Sequence, residues 1–110
     1  MRPVPLRLLI HSATLRHPVS PDTFQKPGTY AETRLKRVRV EPAVRTSKTK
    51  DNTERAFSAV LIFDSTRSLP RGTDFSLGDR LVFEGKDYEV GSIERLYDAS
   101  RLHHLEIGLM

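Results

Sequence analysis

The stretch Arg55-Ala56-Phe57-Ser58-Ala59-Val60-Leu61-Ile62-Phe63-Asp64 decides the fold. In extended backbone, successive side chains point to opposite faces. Phe57, Ala59, Leu61 and Phe63 therefore share one face, and Ala56, Ser58, Val60 and Ile62 share the other. Apolar side chains on both faces predict a central strand, or one whose second face meets another subunit.

Toward the C-terminus, Ser65 to Gly78 is turn-rich. Arg80 to Glu84 and Asp87 to Ile93 flank Gly85-Lys86, which predicts a hairpin with Leu81 and Phe83 opposite Tyr88 and Val90. Gly91 marks a bulge or bend. Leu105, Ile107 and Leu109 alternate with Glu106 and Gly108, as in a terminal strand. Ile93, Leu96 and Tyr97 also fit helical spacing, so a short helix near 93–99 is the alternative there.

Toward the N-terminus, Tyr30 to Glu41 reads as a strand that Pro42 ends. His17 to Gly28 holds three prolines and reads as an extended loop, and Leu6, Leu8 and Ile10 alternate as a first strand. Ala43 to Asn52 has no apolar period and reads as a long polar loop. The expected fold is mainly β: a small antiparallel barrel or sandwich of about six strands. Residues 1–110 form one domain, with 43–54 as a projecting polar, basic loop between strands two and three.

Composition agrees with this size of core. Of 110 residues, 37% are hydrophobic and 29% charged, and there is no cysteine. That excludes a disulfide scaffold and a thiolate metal site. No apolar run approaches the ~20 residues of a membrane helix, and Leu6 to Ile10, broken by Arg7, is too short for a secretory signal. A soluble protein made in the cytosol is expected. The net charge of +4 is unevenly spread: residues 34–55 carry +5 and residues 56–110 carry -3. Such a split suggests contact with nucleic acid, or head-to-tail contact between copies of the chain.

Candidate chemistry is sparse. His103-His104 would point to opposite faces of a strand and so could not hold one metal together. Asp74 with Asp79, and Asp87 with Glu89, lack a neighbouring nucleophile or base. There is no Gly-x-Ser-x-Gly, phosphate-binding glycine loop or His-Glu-x-x-His. No catalytic residue, metal ligand or cofactor is assigned, and a non-enzyme is expected. The basic run is Arg34, Lys36, Arg37 and Arg39, then Arg45, Lys48, Lys50 and Arg55. It can meet phosphates without reading sequence. Only Tyr30 and Phe57 lie near it as aromatics, too few for a single-strand stacking platform.

The order of features carries a resemblance. Arg39-Val40-Glu41-Pro42 ends a basic strand, and an apolar strand ends in Asp64. Next comes Gly78-Asp79-Arg80-Leu81-Val82-Phe83-Glu84-Gly85-Lys86-Asp87-Tyr88-Glu89-Val90, and last Leu102-His103-His104-Leu105-Glu106-Ile107-Gly108-Leu109. Across nearly its whole length the chain resembles the small minor capsid family of tailed bacteriophages, also described as head-completion or head–tail connector (stopper) proteins.

The resemblance implies a β-barrel protomer in a homo-oligomeric ring of six or twelve copies. The ring would lie below the portal and its adaptor, retain double-stranded DNA without sequence specificity, and offer a docking surface to the tail. It implies a virion neck component, assembled in the host cytoplasm, with no membrane partner. By order of elements, Arg45, Thr46, Ser47, Lys48, Thr49 and Lys50 would form the channel loop. Arg34, Lys36, Arg37, Arg39, Val60 and Ile62 are the candidate subunit interface. Two alternatives are a small OB-like nucleic-acid-binding module and the neighbouring tail-terminator or adaptor protein of the same virion.

Overall fold

The computed structural model describes residues 2–18, 30–48 and 54–110, with backbone alone at 43–48 and 54–56. Six strands run β1 (His11–Pro18), β2 (Tyr30–Lys48), β3 (Glu54–Asp64), β4 (Arg80–Phe83), β5 (Lys86–Asp98) and β6 (Arg101–Leu109). All pairings are antiparallel, and the order β1-β2-β3-β6-β5-β4 closes into a barrel because β4 also pairs with β1. The expected small antiparallel β domain is what the chain forms. No helix among the described residues is long and apolar enough to cross a membrane.

Inward positions follow the pleat. Leu15, Leu35, Val38, Leu61, Leu81, Ile107 and Leu109 are almost wholly buried, with Phe63 against Phe75 at 5.6 Å between ring centroids. Phe75 belongs to the segment 65–79, which packs its ring into the core. Ser68 Oγ in the same segment donates to Arg37 O (2.5 Å), and Leu69 exchanges two 2.9 Å backbone hydrogen bonds with Lys36.

Four β-bulges interrupt the ladders of the described residues, and three of them, at Arg37, Gly91 and His103, each skip a single residue. Leu35 and Val38 both point inward, three positions apart, so one extra residue must fall between them. It is Arg37, skipped in the pairing with β1 and held at φ 56°. Gly91, expected as a bulge, is skipped opposite β6. His103 is skipped opposite β5, so its ring is not carried to the face away from His104; the two Nδ1 atoms are 2.8 Å apart. The expectation that these rings diverge is therefore corrected.

Three other expectations are revised. Leu6–Leu8 is a single 3-10 turn rather than strand, and β1 begins only at His11. Pro42 does not end β2: a bulge between Pro42 and Arg45 absorbs it, and pairing resumes from Arg45↔Phe57 to Lys48↔Glu54. The first part of the expected loop is thus ladder, and 49–53 lie outside the described residues. The β4–β5 turn is Glu84-Gly85, one residue earlier than read, with φ 48° and 76° as a two-residue primed turn requires. At 93–99 the strand reading holds, through Asp98, and the alternative short helix does not form. Of the loop expected over His17 to Gly28, His17 and Pro18 end β1, and 19–28 lie outside the described residues.

Candidate functional surface

The longest strands build the first feature. β3 pairs with β6 only from Ala59 onward, whereas it pairs with β2 from Glu54. Residues 45–48 and 54–57 therefore form a two-stranded arm beyond the closed barrel. The candidate channel residues Arg45, Thr46, Ser47 and Lys48 lie on its outgoing strand; Thr49 and Lys50 lie outside the described residues. At the base of the arm the buried Phe57 ring lies against Gly91 and Gly108, where an added Cβ would sit 2.8 Å from Phe57 Cε1. Both glycines leave room for that ring.

The second feature is a basic ridge. Arg34 and Lys36 sit two apart on the outer face of β2, and the bulge turns Arg37 outward beside them; all three are exposed. The Lys36–Leu69 bridge ties the segment 65–79 to β2 at one point, and Arg67 and Arg71 lie two positions to either side of Leu69. Among the described residues, none of these five cations joins an ion pair. Arg71 Nε instead donates to Thr66 O at 3.1 Å. Arg67 and Arg71 escaped the sequence reading because they lie in the net acidic half, and no local pattern announces the bridge.

Arg39 has a different role from its neighbours. Its Nε donates to Glu41 Oε1 (2.5 Å) and its guanidinium to Leu8 O (3.2 Å), so it fastens the N-terminal segment. Val60 is already buried within the chain, and Ile62 is half-buried between Arg39 of β2 and Glu106 of β6. The structure thus separates the six candidate interface residues. Three cations are outward and in no ion pair among the described residues, one is internally tied, and two apolar side chains belong mainly to the protomer.

The N-terminal segment itself exposes apolar surface at Leu6, Leu8 and Ile10, while Leu9 is buried. Next to it, His11 accepts a hydrogen bond on Nδ1 from Val40 N (3.0 Å) and meets Phe83 edge-on. A groove of about 380 Å³ opens between Val40, Pro42, Ala59, Phe83 and Tyr88. The carboxylates singled out earlier are dispersed. Asp79 is buried, 2.7 Å from His17 Nδ1 and accepting from Ser76 N, whereas Asp87 and Glu89 lie on the surface beside Arg80. Among the described residues no three His, Cys, Asp or Glu converge as a metal cluster.

No curated protein matches this chain. A family model described as minor capsid protein matches residues 5–109, spanning the whole barrel. The chain therefore belongs to the phage minor capsid protein family and is a structural component of the virion.

Proposed function

We propose that this protein is a head–tail connector of the stopper type, one protomer of a ring below the portal that retains packaged DNA and receives the tail. The observation that carries this reading is the two-stranded arm, whose residues 45–48 and 54–57 pair with each other outside the closed barrel. An arm with no core of its own can be long, polar and basic without destabilising the barrel. Directed at a channel, Arg45, Lys48 and Lys50 meet phosphates without reading sequence. The exposed ridge of Arg34, Lys36 and Arg37 suits a heterologous contact, in which one patch meets a different patch on the next copy. The acidic half of the chain supplies a complementary charge.

A free-standing OB-like nucleic-acid module is less well supported. Tyr97 is the one strongly exposed aromatic among the described residues, whereas base stacking needs several. A tail-terminator or adaptor position in the same stack would keep the ring but move its contacts.

Deletion of residues 45–52 tests the arm. The barrel ladder begins beyond it, so the protomer is expected to fold and to enter particles. Filled heads carrying the deletion are expected to lose DNA on isolation. Heads that hold their DNA as well as wild type would show that the arm is not the plug.

A further inference from the structure

The closed ladder fixes which charges share the outside of the barrel, because directly opposed residues of a sheet lie on one face. Arg34↔Thr14, Thr14↔Val82 and Val82↔Asp87 make one row, from β2 through β1 and β4 to β5. Arg34 is exposed on the outer face, so Asp87 is on the outer face too. Glu89 follows two positions on, opposite Arg80. Beyond the skipped Gly91 the outer face resumes, and Glu94 stands directly opposite Glu106 of β6. Val90 and Ile93 take inward positions between them. Lys86 and Arg95, the two cations of β5, have the inward parity, opposite Phe83 and Leu105.

The outer face of β5 and its β6 neighbour thus sets four carboxylates, Asp87, Glu89, Glu94 and Glu106, around one guanidinium. Arg80 divides that guanidinium between Asp87 Oδ1 at 3.4 Å and Glu89 Oε1 at 4.0 Å. Glu94 and Glu106 are like charges in directly opposed positions, which repel, and cations brought by a neighbour relieve that repulsion.

Position gives the two charged faces a use. In the order β1-β2-β3-β6-β5-β4, β5 is three strands from β2 in either direction. The basic ridge of Arg34, Lys36 and Arg37 and the acidic face of β5 therefore look out from opposite sides of one barrel. They are too far apart to neutralise each other within a chain. Two ridges facing each other across a two-fold axis would repel, whereas ridge against β5 face is a head-to-tail contact.

We infer that the outer face of β5, at Asp87, Glu89 and Glu94 beside Glu106, is the surface on which the Arg34, Lys36 and Arg37 ridge of a second copy docks, an inference that rests on the ring proposed above and names the surface it leaves open. Solvated ion pairs are individually weak, so these charges set orientation and register more than affinity. The contact is weakened by salt.

The test uses carbodiimide, which joins an amine to a carboxylate in direct contact and adds no spacer. Isotopically labelled and unlabelled full-length chains are mixed at low salt, coupled, digested and read by mass spectrometry. Mixed-isotope amides joining Lys36 to Asp87, Glu89 or Glu94 are expected, and high salt should suppress them. R34E/R37E keeps the Lys36 amine and is expected to lower their yield severalfold. The wild-type pattern needs no variant. Mixed-isotope products that join Lys36 only to other carboxylates would overturn the assignment, as would no mixed product at Lys36 or an undiminished yield from R34E/R37E. A ring imaged in the neck with another surface against the ridge would overturn this contact and keep the connector reading. Lys36 amides to β5 from a chain imaged outside the neck would do the reverse.

Discussion

The backbone N–H of Val4 donates to Asp64 Oδ1 across 3.0 Å, joining positions sixty residues apart. The other oxygen of the same buried carboxylate accepts from Thr66 N (3.0 Å) and Arg67 N (2.8 Å), while Asp64 N lies 2.8 Å from Ser68 Oγ. One side chain at the end of β3 thus shapes the turn that follows and anchors the N-terminal segment.

Asp64→Ala is expected to destabilise the protein by about 3 kcal/mol, because three part-buried backbone donors lose their shared acceptor together. Asp64→Asn keeps one acceptor oxygen and should cost less. Urea unfolding of the two variants checks both the size and the order. Equal stability of Asp64→Ala and wild type would show that water replaces the carboxylate.

Gly108→Ala places a methyl group against Ser92 Oγ and 2.8 Å from Phe57 Cε1. Overpacking of this kind typically costs ~1–3 kcal/mol. Phe57→Leu in the same chain should recover part of that loss, so a double-mutant cycle is expected to give a favourable coupling. Gly85→Ala meets nothing within 4 Å, and its cost comes only from φ 76°. It is expected to be roughly 1 kcal/mol, with no coupling to position 57.

Charge reversal of the ridge, R34E/K36E/R37E, separates folding from assembly. All three side chains are exposed and outside any ion pair among the described residues, so each change should alter stability by no more than about 0.5 kcal/mol. Assembly onto the portal complex is expected to fail, measured by sedimentation of reconstituted particles. Normal assembly by the triple variant would remove the ridge from the interface.

Sequence and structure agree where a core face imposes a period. β3 carries Phe57, Ala59, Leu61 and Phe63 inward, and the β4–β5 hairpin forms where it was expected, although the earlier turn sets Leu81 opposite Tyr88 and Phe83 opposite Lys86 rather than Val90. Agreement fails where no core is present to impose one. Leu6, Leu8 and Ile10 alternate like a strand, yet they lie on a 3-10 turn and the residues after it, and stay exposed. Their alternation reflects no ladder, whereas β1 itself buries only Ala13 and Leu15. The arm beyond Pro42 shows the converse, since its ladder needs no apolar face and left no hydrophobic signal. Bulges are the third source of error. A single extra residue reverses the parity on which face assignments rest, and it did so at His103. At Arg37 the spacing of Leu35 and Val38 contained the signal, legible only once both were known to be buried.

The most direct measurement of the connector reading is cryo-electron microscopy of the intact virion neck. The account predicts a ring of these barrels between portal and tail, with the arms of residues 45–48 and 54–57 directed at the channel and the Arg34–Arg37 ridge against the neighbouring copy. Density for the chain elsewhere in the particle, or a neck ring with the arms turned away from the DNA, would contradict it.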